Sequence, residues 1–214
     1  MHCIIVVGGD PPDPRVTAYL PSDAFVIAAD SGYDHAVVLG LDVGLVVGDL
    51  DSISAEGQRA LDGAVPVERH PTDKDSTDGE LALLAALARG ATQVTVVSGG
   101  GTDRLDHLLT VVGMLGGPRL ARHAVDGWVG TNHVCVLQGP ATTTWQSETG
   151  ETVSLIPLHG PACGVSIDGA TWPLRHARLE PFGSLGISNL TVGGACTVSL
   201  DAGILLIIRP EALT

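Results

Sequence analysis

Aspartates recur in this chain at spacings that suit a hard divalent cation. In Gly48-Asp49-Leu50-Asp51-Ser52 two carboxylates stand at i and i+2. On a turn such a pair can converge on one ion, and Mg²⁺ favours one or two carboxylates completed by substrate phosphate oxygens. Without a cation the two would repel and one pKa would rise. The same pair also suits a solvated turn, where Asp bonds its own backbone. A second run, Thr72-Asp73-Lys74-Asp75-Ser76-Thr77-Asp78, sets the only lysine of the chain among three aspartates. That ammonium can offset phosphate charge as a point charge, or simply neutralise its neighbours. Thr77-x-x-Glu80 reads as a capping box, which puts Asp78 in the first turn of a helix and leaves it free to face a ligand.

A third group follows Gly99-Gly100-Gly101, whose backbone amides could approach phosphates closely or merely make a tight turn. Arg104 can clamp a phosphate bidentately, and Asp106 can hold a metal or polarise a substrate hydroxyl. His107 either orients Asp106 or is a core histidine. A Walker A loop is excluded, because Lys74 lies between two aspartates rather than before Ser or Thr. No G-x-G-x-x-G follows a strand, and His70, His123 and His176 show no i, i+4 metal spacing.

These residues need elements to hold them. Apolar runs at Ile4 to Val7, Phe25 to Ala29, Leu45 to Val47 and Val94 to Ser98 are short and rich in β-branched residues. Runs of that kind suit parallel strands covered on both faces, and most of the acidic residues, Asp30 included, stand just after them. In open parallel sheets ligands bind at that end. Helices are expected from Glu80 to Arg89, with Leu81, Leu84, Ala85 and Ala88 on one face, and from about Arg104 to Leu115. In the second, Leu108, Leu109, Val112 and Leu115 turn inward and Gly116-Gly117-Pro118 ends the helix. From about Asn132 the 3.6-residue period disappears. Val153 to Leu158, Val165 to Ile167, Cys196 to Leu200 and Ile204 to Ile208 read as strands of an all-β sandwich or barrel. The expected organisation is an α/β N-terminal domain with a mostly parallel sheet over residues 1–120, a connector over 121–131, and an all-β sandwich C-terminal domain over 132–214.

Composition limits the partners. The net charge of −13 leaves no basic stripe for a nucleic-acid backbone, and an acidic protein that handles phosphates needs metal ions. Cys3, Cys135, Cys163 and Cys196 form no C-x-x-C pair and read as reduced, mostly buried thiols. No apolar stretch approaches the roughly 18 residues of a spanning helix, and no signal peptide is legible, so the expectation is no membrane and a cytoplasmic protein.

In this order the motifs resemble thiamine pyrophosphokinases: Asp30-Ser31-Gly32, Gly48-Asp49-Leu50-Asp51-Ser52-Ile53, Asp73 to Asp78, and Arg104-Leu105-Asp106-His107. Val153 to Leu158, Gly169-Ala170-Thr171-Trp172-Pro173-Leu174 and Leu185-Gly186-Ile187-Ser188-Asn189 resemble that family's C-terminal domain, and the resemblance runs roughly from residue 4 to residue 208. It implies transfer of the β,γ-diphosphate of ATP to the hydroxyl of thiamine, by a homodimer with active sites between subunits. It implies Mg²⁺ on Asp49, Asp51 and Asp78, with Asp106 near the metal or the substrate hydroxyl. Lys74 and Arg104 would contact phosphate oxygens, with Asp30, Asp75 and Thr77 in the same substrate-binding set, and Ser188 and Asn189 would serve the thiamine pocket. Asp103 replaces a customary glycine, Gly113 a customary asparagine, and Leu190 a frequent polar residue. The alternatives are a diphosphokinase for another hydroxymethyl heterocycle such as a pterin, and a non-catalytic thiamine- or nucleotide-binding protein.

Overall fold

A computed structural model of the chain describes residues 1–101, 104–181 and 183–213. They form two compact units.

The first unit comprises Met1–Met114 and Arg122–Thr131, with the C-terminal Leu213. Its strands are β1 (His2–Val6), β2 (Phe25–Ala29), β3 (Val43–Gly48), β4 (Val67–Arg69), β5 (Gln93–Ser98) and β6 (Ala124–Val129). They make a parallel sheet in the order β4-β3-β2-β1-β5-β6. β1 and β2 are buried along almost their whole length, as continuous apolar runs demand. The helices are α1 (Gly32–Val38), α2 (Ala55–Leu61), α3 (Asp78–Ala88) and α4 (Leu105–Leu115). α1 and α3 pack on β1, β2 and β3. Because the chain moves outward from β1 to β4 and then returns to the other side of β1 with β5, the connections diverge between β1 and β5. Right-handed crossovers in opposite directions put their helices on opposite faces.

The Thr77 cap forms as expected, accepting from the Glu80 amide at 3.2 Å, and Gly90 ends the helix at φ 80°. The buried face of α3, however, is Ala82, Leu83, Ala85 and Ala86, while Ala88 is exposed. Residues 81 to 88 are all Leu or Ala, so periodicity selects no face and the sheet decides. In α4 only Leu115 is fully buried, and Leu109, expected inward, is 61% exposed. The segment 121–131, expected as a connector, contains β6, which extends the parallel sheet beside β5.

The second unit comprises Leu115–Ala121 and Asn132–Ala212. It is built from β7 (Asn132–Gln138), β8 (Ala141–Asp168), β9 (Leu174–Leu179), β10 (Asn189–Leu200) and β11 (Ala202–Arg209). All pairings within it are antiparallel. The runs 153–158 and 165–167, expected as separate strands, are parts of the single 28-residue β8. It pairs with β10 early, with β11 through its middle and with β9 near its end. The turn residues between those runs bend β8 without ending it: His159, Gly160 and Gly164 all have positive φ. Val153, Leu155, Val165, Ile167, Val198 and Leu205 are among the residues of one apolar core.

Cys3, Cys135, Cys163 and Cys196 form no disulfide, and Cys3 and Cys196 are buried. Among the described residues no helix is long and apolar enough to cross a membrane.

Candidate active site

The ends of β2 and β3 bring the acidic groups together. Asp30 follows β2 at φ 50°, its amide bonded to Val47 O at 2.9 Å, so its backbone is tied to β3. β3 ends at Gly48, where a Cβ would lie 3.1 Å from Asp78 Oδ1 and 3.2 Å from Asp30 Cβ. Glycine is what lets these two carboxylates approach across the strand end. Next comes Leu50, at φ 69° and buried, an anchor that turns the flanking Asp49 and Asp51 the other way. One oxygen each of Asp30, Asp49 and Asp51 lies within 4.8 Å of the others.

Two further side chains fix this loop. Ser52 Oγ donates to Asp30 Oδ2. Asp34, one turn beyond Asp30, accepts from Ser54 N at 2.8 Å and Ser54 Oγ at 2.7 Å. Ser54 in turn caps α2 through Gly57 N. Neither Ser52 nor Asp34 stands out in the sequence. Their partners lie about twenty residues away, so local spacing carries no signal for them.

Lys74 closes the acidic group from the helix side. Its Nζ is 3.1 Å from Asp78 Oδ1 and 3.4 Å from Asp49 Oδ2, with all three side chains largely buried. Burial opposes its charge, but Asp78 and Asp49 outweigh that and raise its pKa. Burial pushes the Asp30 carboxyl upward, against the Ser52 hydrogen bond, and the charges of Asp78 and Asp49 push it further. Asp51 is raised first by the charge of Asp49. Asp49 itself is held low, chiefly by the Asp51 amide and then by Thr72 and Lys74. One ammonium thus faces four carboxylates.

The fit to a cation can be judged from oxygens left over. Asp30 Oδ1 and Asp78 Oδ1 are buried and accept no hydrogen bond; the Lys74 contact to the latter has ion-pair distance without hydrogen-bond geometry. The Asp78 oxygen has the Lys74 ammonium beside it, whereas the Asp30 oxygen is costly to bury unless a cation reaches it. Together with the convergence of Asp30, Asp49 and Asp51, this fits a hard divalent ion with oxygen ligands. Asp30 therefore joins the group that sequence reasoning drew as Asp49, Asp51 and Asp78.

A cavity of about 930 Å³ runs from this group, lined by Asp30, Asp49, Lys74, Thr77 and Asp78, to the glycines that follow β1 and β5. Asp75 is exposed and outside its lining, and Thr77 lines it while its hydroxyl is engaged as a helix cap. Arg104 and His107 also line it. The Arg104 guanidinium, however, is held by Asp106 through Nε at 3.0 Å and Nη2 at 2.8 Å, in an exposed pair. That contact keeps the Asp106 carboxyl at about 2. Exposed pairs of this kind are weak, so a phosphate can exchange for Asp106. Asp103 lies outside the described residues. A Cβ at Gly113 would meet nothing within 4 Å.

Ser188 and Asn189 belong to the second unit. The Ser188 amide donates to Ser154 Oγ at 3.0 Å. Asn189 is buried, accepting from Trp172 N and Leu190 N and donating to Trp172 O at 2.7 Å. Its amide is spent on holding Trp172, whose ring is 59% exposed. Asn189 thus positions Trp172, which is the group with a free face.

Residues 16–123 match the family model described as thiamin pyrophosphokinase, catalytic domain, and residues 143–205 match thiamin pyrophosphokinase, vitamin B1 binding domain. The chain belongs to the thiamin pyrophosphokinase family. It is 28% identical over 218 residues to the thiamine pyrophosphokinase of Bacillus subtilis (strain 168), covering 98% of this chain and 99% of the relative. The crystal structure of thiamine pyrophosphokinase from Bacillus subtilis superposes with a TM-score of 0.85 at 25% identity, over 98% of this chain and 99% of that one. That of thiamin pyrophosphokinase from Geobacillus thermodenitrificans gives 0.82 at 28% identity, over 98% and 97%. The acidic group and Lys74 fall inside the part that matches the family's catalytic model, and Trp172 and Asn189 inside the vitamin B1 binding part.

Proposed function

We infer that this chain catalyses the reaction of its family, transferring the β,γ-diphosphate of ATP to the hydroxyl of thiamine and releasing AMP. The observation that carries the chemistry is the orphaned buried oxygen of Asp30 within a group of converging carboxylates, Asp30, Asp49 and Asp51, beside the Lys74–Asp78 ion pair. The full-length similarity to thiamin pyrophosphokinases carries the substrate. The new bond joins the thiamine oxygen to the β-phosphorus, and the bond from that phosphorus to the α,β-bridging oxygen breaks, leaving the oxygen on AMP. Asp30, Asp49, Asp51 and Asp78 would hold Mg²⁺, which supplies neutralisation of the polyphosphate charge when bound. Lys74 keeps its charge in this setting and contributes a fixed positive group beside the transferred diphosphate. Arg104 contributes a second on release from Asp106. Transfer of this type asks for positioning and charge balance more than for a strong base.

The layout belonging to this reading is an α/β catalytic domain over about 1–131, with β6 inside it, and a β-sandwich thiamine-binding domain over about 132–214, in a cytoplasmic homodimer. The exposed Trp172, Leu185, Ile187 and Val192 of the second unit support an apolar contact with another molecule. The absence of disulfides among the four cysteines and the ATP requirement support the compartment. The net charge of −13 leaves no role for nucleic acid.

Product analysis tests the function. With ATP and Mg²⁺, thiamine should yield AMP and thiamine diphosphate in equal amounts, and a hydroxymethylpterin run in parallel should yield nothing. ADP with thiamine monophosphate, or turnover of the pterin in place of thiamine, would refute it.

A further inference from the structure

The cavity has two chemically different ends. One is the acidic group, where the proposed function, on which this inference rests, puts the polyphosphate. The other lies at the carboxyl ends of β1 and β5, where the connections diverge, and is walled by Gly8, Gly9, Asp10, Ser98, Gly100 and Gly101. In open α/β sheets nucleotides lie in this crevice. A site built only for a diphosphate and its metal would not need it.

The residue with chemistry at this end is Asp10. Its main chain and side chain are seated against the glycine run. A Cβ on Gly99 would come 2.0 Å from Asp10 O, and one on Gly101 would come 1.5 Å from Asp10 Oδ2. The run is therefore glycine because Asp10 occupies the space that side chains would take, not because a phosphate must come close. The preceding carbonyl, Gly9 O, is 2.9 Å from His35 Nε2, which ties the same loop to α1. The Asp10 carboxylate, exposed and lying over Gly101, repels a phosphate oxygen there and favours hydroxyl donors, since it is acceptor-only with two oxygens.

We propose that this end of the cavity takes the nucleoside of ATP and that Asp10 accepts hydrogen bonds from the ribose 2′ and 3′ hydroxyls. The acidic end and the Asp10 end then hold the two halves of one nucleotide, and a vicinal diol matches the two carboxylate oxygens.

Calorimetric titration of AMP and of 2′,3′-dideoxy-AMP into the wild-type chain, Asp10→Ala and Asp10→Asn tests this without turnover. The wild type should bind AMP about tenfold to a hundredfold more tightly than the dideoxy nucleotide, the worth of hydrogen bonds to a charged acceptor. Asp10→Ala should bind both as the wild type binds the dideoxy form, and Asp10→Asn should fall between. If Asp10 only braced the loop, its loss would weaken both nucleotides and keep their ratio, which overturns the proposal. Equal binding of the two nucleotides by the wild type, no AMP binding at all, or weaker thiamine binding by Asp10→Ala in the same calorimeter with the nucleotide ratio preserved would also overturn it. The last result would assign the carboxylate to the thiazolium cation. If instead no thiamine diphosphate forms but the AMP preference follows Asp10, the proposed function fails and this inference stands.

Discussion

Replacing Asp30 by Asn should stabilise the metal-free protein and at the same time remove much of its response to Mg²⁺. The variant keeps the shape and an acceptor for Ser52, but deletes one of the charges whose oxygens crowd within 4.8 Å. Two unit charges at that separation repel by about 1 kcal/mol in bulk water and by about 3–4 kcal/mol at an effective dielectric of 20. Asp30 is only half-buried and loses a charge-assisted hydrogen bond, so a net gain of about 1–2 kcal/mol is expected. For a chain of this size that raises the melting midpoint by about 2–8 °C. The sign with pH follows from the raised pKa of Asp30, caused first by burial. A carboxyl raised in the folded state favours folding below its unfolded value, and that contribution is lost as pH rises through the folded pKa. The advantage of Asp30→Asn should therefore be small in acid, grow through that window, and level off above it. Salt should shrink it. Added Mg²⁺ should lift the wild type by binding the folded state and lift the variant much less, so the order of the two melting midpoints converges or reverses. Thermal melts in EDTA and in Mg²⁺ across pH read all of this. A variant that melts below the wild type in EDTA at neutral pH, or an equal Mg²⁺ shift in both, would show that the group is no cation site.

Asp34→Ala removes the two hydrogen bonds that hold Ser54, at 2.8 and 2.7 Å, and with them the anchor of the loop carrying Asp49 and Asp51. The Mg²⁺ concentration for half-maximal activity should rise several-fold while the KM for thiamine stays put, at a stability cost of about 1–3 kcal/mol; an unchanged Mg²⁺ requirement in activity assays counts against the anchor. Light scattering should give twice the 21.9 kDa mass of one chain, and Trp172→Asp, which charges the exposed patch of the second unit, should weaken that assembly; a monomeric wild type counts against the homodimer.

What the sequence revealed divides along physical lines. β1, β2 and β5 were legible because a doubly covered parallel strand must be apolar throughout. β6 was not, because its sequence Ala-Val-Asp-Gly-Trp-Val is interrupted by polar and glycine positions that only its neighbour makes acceptable: Asp126 there takes the Thr95 hydroxyl of β5. β4, three residues long, carries too little pattern to be read. The Thr77 cap was legible because a cap is a contact between near neighbours. The buried face of α3 was not, since Leu and Ala surround it.

The same division runs through the candidate site. Asp49, Asp51, Asp78 and Lys74 announce themselves by type and local spacing. Asp34 does not, because it acts on Ser54, twenty residues away, and Asn189 is named only through the family resemblance, since its bonds to Trp172 span seventeen residues. The glycine run is the instructive case. A glycine-rich turn after a strand points to phosphate contact by analogy with phosphate loops, and the residues it points to do line the cavity. Yet the space above Gly99 and Gly101 is filled by Asp10, so the protein's own packing is sufficient reason for those glycines. Once that is so, they no longer argue for a phosphate at this end. On the proposed reading the polyphosphate goes with Lys74 and the cation that Asp30 and Asp78 would hold, and the glycine end is left for a neutral, hydroxyl-bearing part of the same nucleotide.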